Sequence, residues 1–198
     1  MDYRRPGVVN NGNPGMKTIR TLPCLAIVLM MPMLASSLPA QRLPHDPLTR
    51  AQASKIAEAS IDPPLRVKLY TKYISEHADS IKALAKRADT AARNHRIASD
   101  LEDFADLMDE LGSNLDMYSD RKADIRKALK PLSEAIVRWQ TVLHDLPNEH
   151  GFDLERTDAI DSSNDLSDQT KQLIQSQDAY FKEHKDQKGQ QRALPQPQ

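Results

Sequence analysis

Six histidines, His45, His77, His95, His144, His150 and His184, are the residues best equipped for metal ligation or for proton transfer near neutral pH. Their spacing argues against both. A helical zinc-protease site needs two histidines flanking a glutamate on one face, and di-iron bundles repeat a glutamate three residues before a histidine. Neither spacing occurs. His77 and His95 fall on apolar helical stripes, where ordinary packing is the expected role. His144, Asp145, Glu149 and His150 gather around one turn, yet no two of these histidines share a helical face within a single turn. No metal and no other cofactor is expected.

Other catalytic signatures are missing as well. Beyond residue 40 the chain has only Gly112, Gly151 and Gly189, too scattered for a loop that cradles phosphate. There is no nucleophile elbow and no haem-attachment motif. The single cysteine, Cys24, lies in the first forty residues, which leaves no disulfide or thiolate metal site after them. A non-catalytic protein is therefore the expectation, and an enzyme built on scattered carboxylates is the third reading.

Charged runs offer binding chemistry. Asp100, Glu102, Asp103, Asp106, Asp109 and Glu110 are expected on the outward side of a helix, paired with Lys82, Lys86, Arg87, Arg93 and Arg96 from the preceding one. Lys122, Arg126 and Lys130 are four apart and so stack along one helical face, joined by Lys127. A polyanion, either lipid headgroups or a wall polymer, is the ligand such a face would take, so a peripheral membrane or wall contact is one expectation. Nucleic acid is not expected.

These groups must be positioned by helices. Val67, Tyr70, Ile74, His77, Ile81, Leu84, Ala88 and Ala91 recur at spacings of three and four, a heptad seam. Asn94 and His95 offer its end, and Ser99 with Glu102 forms a capping box for the next helix. One seam position then reads Leu101, Met108, Leu115, Lys122, Leu129, Ile136 and Leu143; its partner reads Phe104, Leu111, Tyr118, Ile125, Leu132, Trp139 and Leu146. Lys122 alone breaks it. Because the phase runs through Gly112 and Pro131 without a slip, residues 100–146 are expected to form one long helix, with a hairpin near Ser119-Asp120 as the alternative. After Pro147, Asn148 and Gly151 a thinner stripe of Phe152, Ala159, Leu166, Leu173 and Tyr180 continues to about residue 184. Beyond it, 185–198 is rich in Gln, Lys and Pro and is expected to be disordered.

The fold class that follows is all-α: an elongated antiparallel helical bundle of two long heptad-patterned helices with shorter flanking helices, over residues 41–184. A helix over 100–146 would outrun its neighbour. Ile136, Trp139, Leu143 and Leu146 at its far end are then expected to be imperfectly covered and to mediate self-association or protein-partner binding.

Residues 1–40 differ in kind. Lys17 and Arg20 precede an apolar run from Leu22 to Ala35, and Ser36, Ser37 and Ala40 supply small residues. That is the layout of a secretory signal peptide. The run is shorter than the roughly 20 apolar residues of a membrane span. Cleavage after Ala40 is expected, and Met16 offers a second start that would leave 1–15 untranslated. Removing the four bases and one acid of this segment from the totals of 27 and 28 leaves 23 basic and 27 acidic side chains, a net charge of −4. So mild a balance suits a soluble exported protein.

Ahead of the first seam, Leu48, Thr49 and Gln52 form a capped helix start that resembles the L-T-x-x-Q signature of small helical periplasmic stress chaperones. Those proteins carry the motif twice, and this chain carries it once. The resemblance implies at most a client-binding or metal-stress role, with these three residues as structural motif positions. An exported helical interaction or scaffold protein is the favoured reading. An envelope-stress chaperone or metal-buffering protein is the alternative.

Overall fold

Thr49 opens the fold. Its Oγ1 accepts from the Gln52 backbone N–H at 3.3 Å, while Gln52 Oε1 accepts from the Thr49 N–H at 2.8 Å. This reciprocal pair is the anticipated capping box, and it starts α1 (Arg50–Glu58). A 3-10 turn over Ala59–Ile61 follows, and Asp62 then caps α2 (Pro63–Ala85) through the Leu65 N–H at 3.1 Å. Pro63 and Pro64 sit at the first helical positions, where their missing donors cost nothing. The remaining elements are α3 (Ala91–Asp120), α4 (Arg126–His144), α5 (Asp153–Glu183) and a last 3-10 turn over Lys185–Gln187. The computed structural model describes residues 46–148 and 151–188. The expected signal peptide, its cleavage site and residues 189–198 of the expected tail lie outside the described residues. Residues 185–187 of that tail are helical.

The protein is all-α among the described residues, as the seams require, but two boundaries differ from expectation. The first turn falls at 86–90, not at 94–99, and Ser99 lies inside α3. Thr90, in extended backbone, caps α3 through the Arg93 N–H at 3.2 Å. Arg93 then reaches back to the helix that has just ended. Its Nε donates to Leu84 O and its Nη2 to Ala85 O, both at 3.0 Å. A buried cation thus adds hydrogen bonds to carbonyls at the end of α2, where Leu84 O also accepts from the Arg87 N–H at 2.9 Å.

The second difference is larger. Residues 100–146 are not one helix, because the chain turns between Asp120 and Arg126, close to the Ser119-Asp120 alternative. Lys122, the one polar member of the seam, adopts a left-handed conformation there, with φ of 54°. Gln177 of α5 holds the turn from inside: its Oε1 accepts from the Ile125 N–H at 3.1 Å, and its Nε2 donates to Ala123 O at 2.9 Å. Four long helices therefore replace the anticipated two.

These four pack as a closed square. α2 contacts α3 and α4, and α5 contacts α3 and α4, whereas α3 and α4, consecutive in the chain, stand on a diagonal. Antiparallel hairpins α2–α3 and α4–α5 thus lie against each other through two parallel pairs. Hydrogen bonds between α3 and α5 (Gly112 to Gln169) and between α2 and α4 (Ser75 to Trp139) mark the matching levels. A Cβ at Gly112 would meet Gln169 Oε1 at 3.2 Å, so the glutamine would have to give way by a few tenths of an ångström.

Almost every seam residue is buried, including Val67, Tyr70, Ile74, Leu101, Phe104, Leu111, Leu115, Leu129 and Leu132. Each apolar side chain so removed from water contributes about 1.5–3 kcal/mol. Ile136, Trp139, Leu143 and Leu146 belong to this core too, at no more than 5% exposure. The expectation that they lie on an uncovered helix end is corrected. α4 is 19 residues long, shorter than the 23 of α2 beside it, so no end overhangs. Trp139 packs edge-on against Phe104, with ring centroids 5.9 Å apart.

Candidate functional site

Among the described residues a groove of about 860 Å³ runs along the second halves of α2 and α4. Its origin is in side-chain size. α2 presents Ser75, Ala78 and Ala85 toward α4, and residues this small leave a valley between two parallel helices. Trp139, Val142 and Leu146 of α4 and its end complete an apolar floor. The indole of Trp139 is fixed there by its Nε1–H, which donates to Ser75 Oγ at 3.0 Å. Lys82 and Lys86 from α2, Arg138 from α4, and the acids Asp79 and Asp145 form the rim, and all five are exposed. Two of the four residues expected to bind a partner, Trp139 and Leu146, thus floor the groove, while Ile136 and Leu143 are buried deeper in the bundle.

A second, polar pocket of about 450 Å³ lies where the entry segment meets α2 and α3. Asp46, Glu76, His77, Asp100 and Asp103 line it together with Ser80. Ligand atoms of His77, Asp100 and Asp103 lie within 4.8 Å of one another. His77 Nε2 is 3.2 Å from Pro47 O, and Ser80 Oγ donates to Asp100 Oδ2 at 2.7 Å. The acidic run was expected to face outward as a whole. Asp103 is instead 7% exposed and Asp100 half-buried, while Glu102, Asp106, Asp109 and Glu110 are exposed. Partial burial, then the charges of Glu102 and Asp109, holds the Asp106 carboxyl above its usual range.

The basic set does not form the stacked face that its spacing suggested. Lys122 sits in the α3–α4 turn, and its ammonium lies 5.7 Å from the Tyr180 ring centroid. Arg126, the first residue of α4, is held by Asp124 through two hydrogen bonds of 2.8 and 2.7 Å and covers the Phe181 ring at 4.5 Å. Lys127 and Lys130 remain exposed on α4. The turn removes Lys122 from the helical register, which is why the four-residue spacing misleads. His95 and His144 are exposed, His184 stacks on Tyr180 at 4.2 Å, and Glu149 and His150 lie outside the described residues.

Among the described residues no helix is long and apolar enough to cross a membrane. Comparison with protein-family models, with curated proteins and with solved structures gives no match. Sequence reasoning missed both concavities. The groove depends on which helices become neighbours. The polar pocket has one local signal, the i, i+3 pair Asp100 and Asp103, a spacing that a solvated acidic face shows equally.

Proposed function

We propose that the chain is an exported, non-catalytic binding protein that takes the apolar face of a partner protein's amphipathic helix into the α2–α4 groove. The observation that carries this reading is the apolar floor of Ala78, Ala85, Trp139, Val142 and Leu146 beneath a charged rim. From Ser75 to Lys86 the groove follows α2 for eleven residue steps, about 16 Å at 1.5 Å each, or three turns of a docked helix. A peptide helix would seat apolar anchors at i, i+3 or i+4, and i+7 on such a floor. The rim carries both signs, Lys82, Lys86 and Arg138 against Asp79 and Asp145. That mixture matches the flanks of a protein helix better than a single anionic headgroup, which would leave the two acids unmatched. Export rests on Lys17, Arg20 and the apolar run that follows them.

Trp139, the only tryptophan, reports on the groove directly. A synthetic amphipathic peptide of about 16 residues with leucines at helical spacing is titrated into the mature chain while Trp139 emission is followed. Saturable one-to-one binding is expected, abolished by Val142→Glu and by Ala85→Glu with helicity unchanged by circular dichroism. Binding that both variants retain would overturn the reading. So would a wild-type dimer in light scattering that Val142→Glu dissociates, because a second copy would then occupy the groove. Uptake of a free fatty acid in place of the peptide would overturn it as well.

A further inference from the structure

We propose that His77 of α2 and Asp100 and Asp103 of α3 form a binding site for a divalent transition-metal cation, with Zn²⁺ the best match. This goes beyond the groove, which shares no residue with the site. The three side chains come from two helices and offer ligand atoms within 4.8 Å of one another. Around tetrahedral zinc, with bonds of about 2.0–2.2 Å, ligand atoms stand roughly 3.4 Å apart. Binding would draw the half-buried His77 and Asp100 in toward Asp103, which is buried.

The surroundings hold these groups as outer partners of metal ligands do. Pro47 O can only accept, so the 3.2 Å contact with His77 Nε2 suits a ring that donates from that nitrogen and offers Nδ1 as the ligand atom. The contact orients the imidazole, as a second-sphere carbonyl does for a ligating histidine. Ser80 Oγ donates to Asp100 Oδ2 at 2.7 Å and fixes that carboxylate in the same way.

Charge points the same way. The two carboxylates supply charge of the sign that a divalent cation requires. Asp46 and Glu76 line the same pocket and add to its negative field, with Lys72 at its edge, 3.6 Å from Glu76. The pocket is roomy enough for water to complete the coordination sphere. An imidazole in the set favours zinc or its transition-metal neighbours over magnesium and calcium, which take oxygen ligands.

The test is isothermal titration of Zn²⁺ into the chelator-treated mature chain, with thermal melting as a second readout. One equivalent is expected to bind and to raise the melting temperature. His77→Gln should weaken binding by tenfold or more and remove the thermal shift. Ser80→Ala should weaken it by roughly tenfold, as loss of a ligand's outer partner does. His144→Gln, which alters an exposed histidine beside Asp145, should leave binding unchanged. Asp103 is buried, so Asp103→Asn tests folding as much as binding, and His77→Gln decides. The proposal is overturned if no equivalent of Zn²⁺ binds, if His77→Gln binds as the wild type does, or if His144→Gln abolishes binding.

Discussion

Trp139 Nε1–H donates to Ser75 Oγ at 3.0 Å, and that hydroxyl in turn donates to Thr71 O at 2.7 Å. One small side chain thus pins the largest one in the protein to the facing helix. Ser75→Ala leaves the buried indole N–H without its partner, a loss of about 1–3 kcal/mol. Urea denaturation should show the lower midpoint with an unchanged slope.

Lys122→Gly separates a turn from a helix by the sign of its effect. In a continuous helix, glycine at 122 would destabilise by about 1 kcal/mol. At a left-handed position it relieves a penalty of about 1–2 kcal/mol. With φ at 54°, stabilisation is expected, reduced somewhat by loss of the contact with Tyr180. Chemical denaturation of the variant beside the wild type reads the sign directly.

Gln177→Leu should be among the most damaging single substitutions. It strands the Ile125 N–H and the Ala123 C=O in the core, each at about 1–3 kcal/mol. Amide hydrogen exchange is the discriminating measurement. Protection should fall first at Ala123 and Ile125, before the middles of α3 and α5.

Tyr70 predicts an alkaline limit. Burial, and next the hydrogen bond that its hydroxyl donates to Glu110, push its pKa up to about 12, against the opposing pull of Arg66. Unfolded tyrosine titrates near 10. The folded state therefore holds a proton that the unfolded chain releases, and stability falls as pH rises from about 10 to about 12. Below pH 10 the contribution is complete. Tyr70→Phe should flatten this fall, leaving a residual slope from Tyr118, whose pKa burial also raises. Denaturation midpoints measured across that range check both.

Core membership was legible from the seams, and connectivity was not. Tyr118 ends the buried stripe of α3 and Ile125, the residue just before α4, opens the next one seven residues on, so the turn preserves the heptad phase that a continuous helix would show. Lys122 was the visible clue, since the single polar seam position is the one that leaves the helix. At the first turn, Ser99 with Glu102 spells a fuller capping box than Thr90 with Arg93. The weaker local signal prevails because Arg93, placed there, closes the end of α2. Asp103 and the α2–α4 groove were illegible for a shared reason. Each is made by segments far apart in the chain, and helical periodicity reports only which face of one helix is dry.

The diagonal α3–α4 connection makes residues 121–125 the only covalent link between two hairpins that otherwise meet side by side. Since the apolar stripe stays in phase across that link, straightening it would yield one rod with a half-bundle at each end. Lys122 carries the left-handed backbone of that joint and Gln177 holds it from inside, so the order of the four helices around the core is set within five residues.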